Sequence, residues 1–186
     1  MTLKILWGIT GSGDKIEETL NVMRNLQKEY DINVRVVLSK NAELVIHMYG
    51  LWKSLEDNFK VLRERGPNDP FLAGPLQIGR YDLFIVCPAT ANTTAKIAHG
   101  IADSLISNCV SQALKASHRV YIYPVDQKPG KTITILPDGK ELALTIREVD
   151  LENSQKLKRM RGMTVISQLA DIEDIVQTHL TNKEPS

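Results

Sequence analysis

The sequence predicts an α/β protein with a doubly wound, mostly parallel, Rossmann-like (flavodoxin-like) sheet and helices on both faces. Short apolar runs such as residues 3–9 and 81–87 are typical of strands that are buried on both sides. Between such runs lie segments with apolar residues every three or four positions, as in residues 16–30. This alternation favours parallel strands that are joined by right-handed helical crossovers.

The individual elements follow from the same two patterns. We predict strands at residues 3–9, 34–38, 81–87 and 119–123. We predict helices at residues 16–30, 42–49, 57–65, 94–99, 103–116, 154–161 and 171–180. Gly74, Pro75 and Gly79 predict a loop with a short helical turn before the third strand. A Pro-Asp-Gly-Lys turn between two alternating stretches predicts a C-terminal β-hairpin over about residues 131–147.

Length and composition are those of one globular domain, which we place at residues 1–181, with a disordered tail at 182–186. The 23 basic and 22 acidic residues are well mixed, which argues against a nucleic-acid partner.

No apolar run approaches the roughly 18 residues of a membrane span, and no signal peptide begins the chain, so we expect a cytoplasmic protein. Cys87 and Cys109 match no metal-ligand spacing, so we expect no metal and two buried thiols.

Three loops with small or hydroxyl-bearing residues follow predicted strands, at residues 10–14, 39–41 and 88–93. In doubly wound sheets, ligands bind beyond the carboxyl ends of the strands. Gly11, Ser12 and Gly13 lie between a strand and a helix, where close backbone approach and the helix N-terminus suit a phosphate. The spacing is neither a Walker A nor a dinucleotide pattern, and an ordinary strand–helix turn stays open. Ser39 is a candidate second phosphate ligand.

The third loop is the richest in hydrogen-bonding groups. Thr90, Asn92 and Thr93 supply donors and acceptors, and Ala91 permits close approach of a ligand. The same residues also suit a helix N-cap, formed by Asn92 or Thr93, and capping is compatible with ligand binding.

The run Pro-Ala-Thr-Ala-Asn-Thr at residues 88–93 resembles the signature of the homo-oligomeric flavin-containing cysteine decarboxylase superfamily, with Thr90 at its serine position. The later Gly-Ile-Ala-Asp-Ser-Leu element stands at residues 100–105. The resemblance implies an FMN cofactor and a homo-oligomer that is built from trimers, with the site between subunits. The cofactor-binding residues that it implies are Gly11, Ser12, Gly13 and Ser39 at the phosphate, then Thr90, Ala91, Asn92, Thr93 and Asp103.

Two departures from that superfamily argue against cysteine decarboxylation. The decarboxylases carry a histidine shortly before the strand that leads to the Asn motif, and residues 72–82 contain none. Their Pro-x-Met-Asn substrate clamp is Pro-Val-Asp-Gln here, at residues 124–127.

The whole sequence is more similar to the archaeoflavoprotein and dihydromethanopterin reductase (acceptor) branch, at residues 7–11, 48–52, 70–74 and 136–142. That branch implies redox chemistry, in which electrons pass from a reduced carrier such as ferredoxin to a small-molecule or protein acceptor, including a pterin. The four histidines are scattered, and no catalytic residue is assigned. Two alternatives stay open: an FMN-dependent decarboxylase or prenyltransferase, and a non-redox module that binds a phosphate ligand.

Overall fold

Apolar runs without alternation form the inner strands of the sheet, because both of their faces are covered by helices. The computed structural model describes residues 2–183, apart from the side chain of Phe71. The strands are β1 (Leu3–Ile9), β2 (Ile32–Leu38), β3 (Lys60–Arg63), β4 (Leu83–Ala89), β5 (Val120–Pro124), β6 (Lys131–Ile135), β7 (Glu141–Thr145) and β8 (Met163–Val165).

Six of these strands form one parallel sheet in the order β3-β2-β1-β4-β5-β8. This is the Rossmann order, and the flavodoxin order is obtained when the edge strand β3 is set aside. The predicted fold class is therefore confirmed. The direction of winding reverses between β1 and β4, which are neighbours in the sheet. A ligand crevice is expected at that reversal.

Helices cover both faces of the sheet. They are α1 (Ile16–Glu29), α2 (Lys40–Met48), α3 (Trp52–Asn58), α4 (Pro70–Gln77), α5 (Ala91–Ala98), α6 (Leu105–Lys115), α7 (Glu148–Lys158) and α8 (Asp171–Lys183). Buried side chains of α1, α2, α3 and α8 form one core with one face of the sheet. Those of α4, α5, α6 and α7 form a second core on the opposite face.

Several predicted elements were wrong or misplaced. The helix predicted at residues 57–65 is instead the end of α3 followed by β3, which pairs with β2. Within β3, Val61 packs into one core and Leu62 into the other, which is the alternation of a strand. The predicted loop before β4 contains α4, with Pro75 inside it, and β8 was missed because it is only three residues long. Asn182 and Lys183, placed in a disordered tail, end α8; residues 184–186 lie outside the described part.

The predicted C-terminal hairpin is confirmed by the antiparallel pair β6–β7. Its side chains are more exposed than those of the main sheet, and several of them are large and apolar: Ile133, Ile135, Leu142 and Leu144. Among residues 2–183, no helix combines the length and apolar character that crossing a membrane requires.

The core of the central strand gives the first testable prediction. Ile85 lies in β4 and is fully buried, whereas Ile78 is 68% exposed. We expect Ile85→Ala to lower the free energy of unfolding by about 2–5 kcal/mol, because it removes buried methyl groups and leaves a cavity. Urea denaturation measures this value, and Ile78→Ala is the matched control with little expected effect. Equal losses in the two variants would contradict the described burial.

Candidate functional site

The loops after β1 and β4 are joined by the hydroxyl group of Thr10. This side chain is 1% exposed, and its Oγ1 donates to the carbonyl of Pro88 at 2.9 Å. The same oxygen accepts a hydrogen bond from the N–H of Thr90 at 2.8 Å. The main-chain N–H of Thr10 also donates to the Pro88 carbonyl, at 3.2 Å. Two of the three predicted ligand loops are thereby fixed side by side at the reversal of the sheet.

Gly11 and Gly13 are required by close packing rather than by loop flexibility. A Cβ atom at position 11 would lie 2.6 Å from the Cβ of Asn41, and one at position 13 would overlap the hydroxyl group of Tyr49. The first loop is therefore pressed against both ends of α2. Within residues 2–183, neither glycine donates its N–H to another described residue. Two main-chain donors thus stay available to an anion beside the start of α1.

The two serines predicted at the phosphate make different local contacts. Ser12 is 7% exposed, and its Oγ donates to the Asp14 carbonyl at 3.0 Å. Ser39 is the N-cap of α2, where its Oγ accepts the N–H of Ala42 at 3.1 Å. The hydroxyl proton of Ser39 is left to donate elsewhere. Both serines therefore shape helix-entry loops in addition to any contact with a ligand.

The third loop caps α5 with a residue other than the predicted one. Thr90 is the N-cap, and its Oγ1 accepts the N–H of Thr93 at 3.2 Å. The prediction that Asn92 or Thr93 caps this helix was therefore wrong. The reason is that the helix begins one residue after Thr90, at Ala91. This leaves Asn92 in the first turn with an exposed side chain, whereas Thr93 is buried.

A carboxylate that the sequence analysis missed connects the second loop to the Gly-Ile-Ala-Asp element. Glu64 follows β3, and its two oxygens accept from the N–H groups of Lys40 at 3.0 Å and of Leu105 at 2.7 Å. These are the first residues of α2 and α6. Asp103, one of the predicted site residues, forms an ion pair with Lys96 at 2.9 Å. No hydrogen bond or ion pair joins Asp103 to the first or third loop within the described chain. The sequence analysis did not select Glu64 because it lies in a charged stretch, and because the preceding strand β3 was not recognised as a strand.

Carboxylates are close enough at the end of β5 to influence one another. Burial raises the pKa of Asp126, and the negative charges of Asp150 and Asp14 raise it further. Burial likewise raises the pKa of Asp14. The main chain of Ala91, in the third loop, acts in the opposite direction and lowers this pKa. The position of Asp126 two residues after β5 was the sequence signal for this residue, which the site prediction did not use.

The residues that could act as a nucleophile, a substrate clamp or a base are either buried or hydrogen-bonded to other parts of the chain. The pKa of the Cys87 thiol is raised to about 12 by burial, so the thiolate is not formed near neutral pH. Gln127, at the clamp position of the decarboxylases, is 9% exposed and donates to the carbonyls of Pro124 and Ile166, both at 2.9 Å. His99 follows α5 and contacts Asn153. No group of three or more potential metal ligands occurs among the residues that the structure describes.

Comparison with known proteins gives a consistent set of relatives. The sequence profile of the family called Flavoprotein matches residues 1–183. An uncharacterized protein of Methanocaldococcus jannaschii is 53% identical over 183 residues, which cover 98% of each chain. The dihydromethanopterin reductase (acceptor) of the same organism is 37% identical over 162 residues, or 81% of this chain. The chain spans 66% of the length of that reductase.

A solved structure is similar over almost the whole fold. Burkholderia xenovorans DmrB in complex with FMN has a TM-score of 0.80 and 28% sequence identity, covering 97% of this chain and 96% of DmrB. DmrB is described as a cubic protein cage for redox transfer.

The junction at Thr10 gives the second testable prediction. Thr10→Val keeps the shape of the side chain and removes the hydroxyl, so the partly buried N–H of Thr90 loses its acceptor. We expect the free energy of unfolding to fall by about 1–3 kcal/mol, as for an unsatisfied buried donor. Thr181→Val is the control, because the exposed hydroxyl of Thr181 donates to the Gln177 carbonyl within α8. Urea unfolding compares the variants, and an unchanged stability of Thr10→Val would contradict the account of this junction.

The pKa of Asp126 gives a third prediction. Because its pKa is raised in the folded state, ionisation of Asp126 costs stability as the pH rises above the ordinary value of 3.8. Asp126→Asn removes the charge and keeps the size and polarity of the side chain. We therefore expect it to be more stable than the parent at about pH 7, with a difference that shrinks toward about pH 4. Urea unfolding at the two pH values measures this, with the exposed Asp57→Asn as control. A variant that is less stable at neutral pH would overturn the assignment.

Proposed function

The chain belongs to the Flavoprotein family, and on that premise we propose that it binds FMN and acts as an oxidoreductase or electron-transfer protein. The observation that carries the proposal is the junction of the loops after β1 and β4, where Thr10 fixes Gly11–Gly13 beside Thr90–Thr93. A doubly wound sheet holds its ligand at this reversal of strand order. DmrB, of similar fold, was solved with FMN, which supports the choice of cofactor.

The residues of the first loop suit the phosphate group of this cofactor. The N–H groups of Gly11 and Gly13 donate to no other described residue, and they lie where a helix N-terminus favours an anion. We assign the phosphate to Gly11, Ser12 and Gly13, with the hydroxyl proton of Ser39 as a further donor. The flavin ring and its ribityl chain are assigned to Thr90, Ala91, Asn92 and Thr93. Asp103 belongs to the same edge of the sheet through Glu64 and the start of α6.

FMN, when bound, supplies the redox chemistry, and the protein binds it, orients it and adjusts its electrostatic surroundings. Charges of both signs lie beside the loops, because Lys15 and Arg147 accompany the carboxylates of Asp14 and Asp126, and Arg147 also pairs with Asp150 at 2.8 Å. The protein therefore offers the cofactor polar surroundings of mixed charge.

We propose that the electrons come from a reduced carrier such as ferredoxin and pass to a small-molecule or protein acceptor, of which dihydromethanopterin is the first candidate. The relative that is named dihydromethanopterin reductase (acceptor) supports this direction. Decarboxylation of a cysteinyl substrate is disfavoured because Gln127 is buried and occupied by two carbonyls. The residues of the three loops include no histidine.

We further propose a homo-oligomer that is built from trimers. Asn92 lies at the proposed flavin site with an exposed side chain, which suits a site that a second subunit completes. On α2, Leu44 and Met48 are one turn apart and are 59% and 56% exposed. Contiguous exposed apolar patches mark surfaces that bind another protein chain, and we propose that this pair belongs to such a patch.

The proposed function predicts a yellow protein when it is purified or reconstituted with FMN. The measurement is a visible spectrum, followed by anaerobic titration with reduced ferredoxin, with and without dihydromethanopterin. We expect bleaching of the flavin by ferredoxin and its reoxidation by the acceptor. Tighter binding of NAD, FAD or ATP than of FMN, in calorimetry, would favour a non-redox module. Release of CO₂ from cysteinyl peptides, or prenylation of the flavin, would replace the redox proposal.

A further inference from the structure

The β6–β7 hairpin depends on a small number of contacts for its position. Its strands pair only with each other in the described chain, in the register Ile133 to Ala143 and Thr132 to Leu144. Ile133 and Ile135 on one face are 58% and 51% exposed, and Leu144 on the other is 46% exposed. A two-stranded hairpin is marginally stable in water by itself. Contacts with the body of the protein must therefore decide where it lies.

Tyr49, the residue that follows α2, makes such a contact. Its hydroxyl donates to the carbonyl of Ile135 in β6 at 2.8 Å. Its ring packs against the first loop, so that a Cβ atom at Gly13 would lie 2.9 Å from the ring carbon that bears the hydroxyl. A second link runs beside it, since the side chain of Thr132 in β6 lies close enough to Asp14 to lower the pKa of that carboxyl. One tyrosine thus touches both the proposed phosphate loop and the hairpin.

A cleft of about 430 Å³ lies between the hairpin and the start of α1. Gly13, Ile16, Tyr49, Ile133 and Ile135 are among the residues that line it. The hairpin therefore stands beside the first loop, with this cleft between them. Movement of the hairpin would open the same side of the loop to solvent.

We propose that Tyr49 is a positioning residue that holds the hairpin over the phosphate loop and thereby slows the release of FMN. This inference rests on the proposed binding of FMN at Gly11–Gly13. The same tyrosine lies against Gly13 and donates to Ile135, so we expect an anion that fixes the loop also to favour the closed hairpin. Such coupling is reciprocal. If bound FMN favours the closed hairpin by a given factor, closure of the hairpin increases the affinity for FMN by the same factor.

The phenol is suited to this role near neutral pH. Burial raises the pKa of Tyr49, and the nearby carboxylate of Asp14 raises it further. The hydroxyl therefore keeps its proton and remains a donor to the Ile135 carbonyl. Phenylalanine at this position would keep the ring against Gly13 and lose only that hydrogen bond.

The test compares Tyr49→Phe with Tyr30→Phe in the full chain reconstituted with FMN. Tyr30 is the matched control, because its hydroxyl donates to Glu173 at 2.7 Å, between α1 and α8. We expect Tyr49→Phe to release FMN about tenfold faster in stopped-flow fluorescence, as one lost hydrogen bond predicts, with a nearly unchanged association rate. Tyr30→Phe should release FMN at the parental rate.

Limited trypsin digestion supplies a readout that general destabilisation would not mimic. Lys140 lies in the exposed turn of the hairpin. FMN should slow cleavage after Lys140 in the parent and in Tyr30→Phe, and it should protect Tyr49→Phe much less. A parent protein that does not bind FMN would refute the proposed function itself. A parent that binds FMN, with equal release rates and equal protection in Tyr49→Phe, would refute the role of Tyr49 alone.

Discussion

The hydroxyl group of Thr10 is the contact on which the arrangement of the candidate site depends. It is buried, it donates to the Pro88 carbonyl, and it accepts the N–H of Thr90. Without this bridge, the hydrogen bonding between the two loops, as far as the structure describes the chain, would be reduced to the main-chain bond from Thr10 to Pro88. A buried donor and acceptor that satisfy each other hold a fixed geometry, because separating them in a low-dielectric interior is costly. The relative position of the proposed phosphate and flavin sites follows from this bridge.

The sheet explains why the bridge occurs at this place. The chain leaves β1 for α1 on one face and leaves β4 for α5 on the other, as the two separate cores show. Because β1 and β4 are adjacent, the departures in opposite directions leave a crevice between their carboxyl ends. Small residues line this crevice. Positions 11 and 13 must be glycine because Asn41 and Tyr49 occupy the space that a side chain at either position would need. The same two glycines therefore allow α2 to pack tightly against the loop and leave their own N–H groups available to a ligand.

Local patterns were sufficient for the strands at the centre of the fold. β1 was predicted with its observed bounds, and the hairpin was recognised from its Pro-Asp-Gly-Lys turn. β3 was missed because the charged residues Lys60 and Arg63 at its ends are typical of an exposed helix. Its pairing with β2, which the sequence does not reveal, makes it a strand. β8 has three residues, too few for any periodicity. Context, rather than propensity, determines such edge strands.

The candidate site shows the same division between local and long-range information. Gly11, Ser12, Gly13 and Thr90 could be selected from the sequence because small and hydroxyl residues directly follow strands. Tyr49 and Glu64 could not, since each acts on loops that are distant in the chain. Glu64, for example, accepts from the N–H of Leu105, which is 41 residues away. Their roles depend on strand order and helix placement, which a single sequence does not specify.

The most direct test of the central claim is a crystal structure of the protein with FMN. The account predicts that the phosphate accepts the N–H groups of Gly11 and Gly13, and that the flavin lies along Thr90–Thr93, with the bridge at Thr10 intact. A flavin bound away from the carboxyl ends of β1 and β4, or a phosphate held elsewhere, would contradict it.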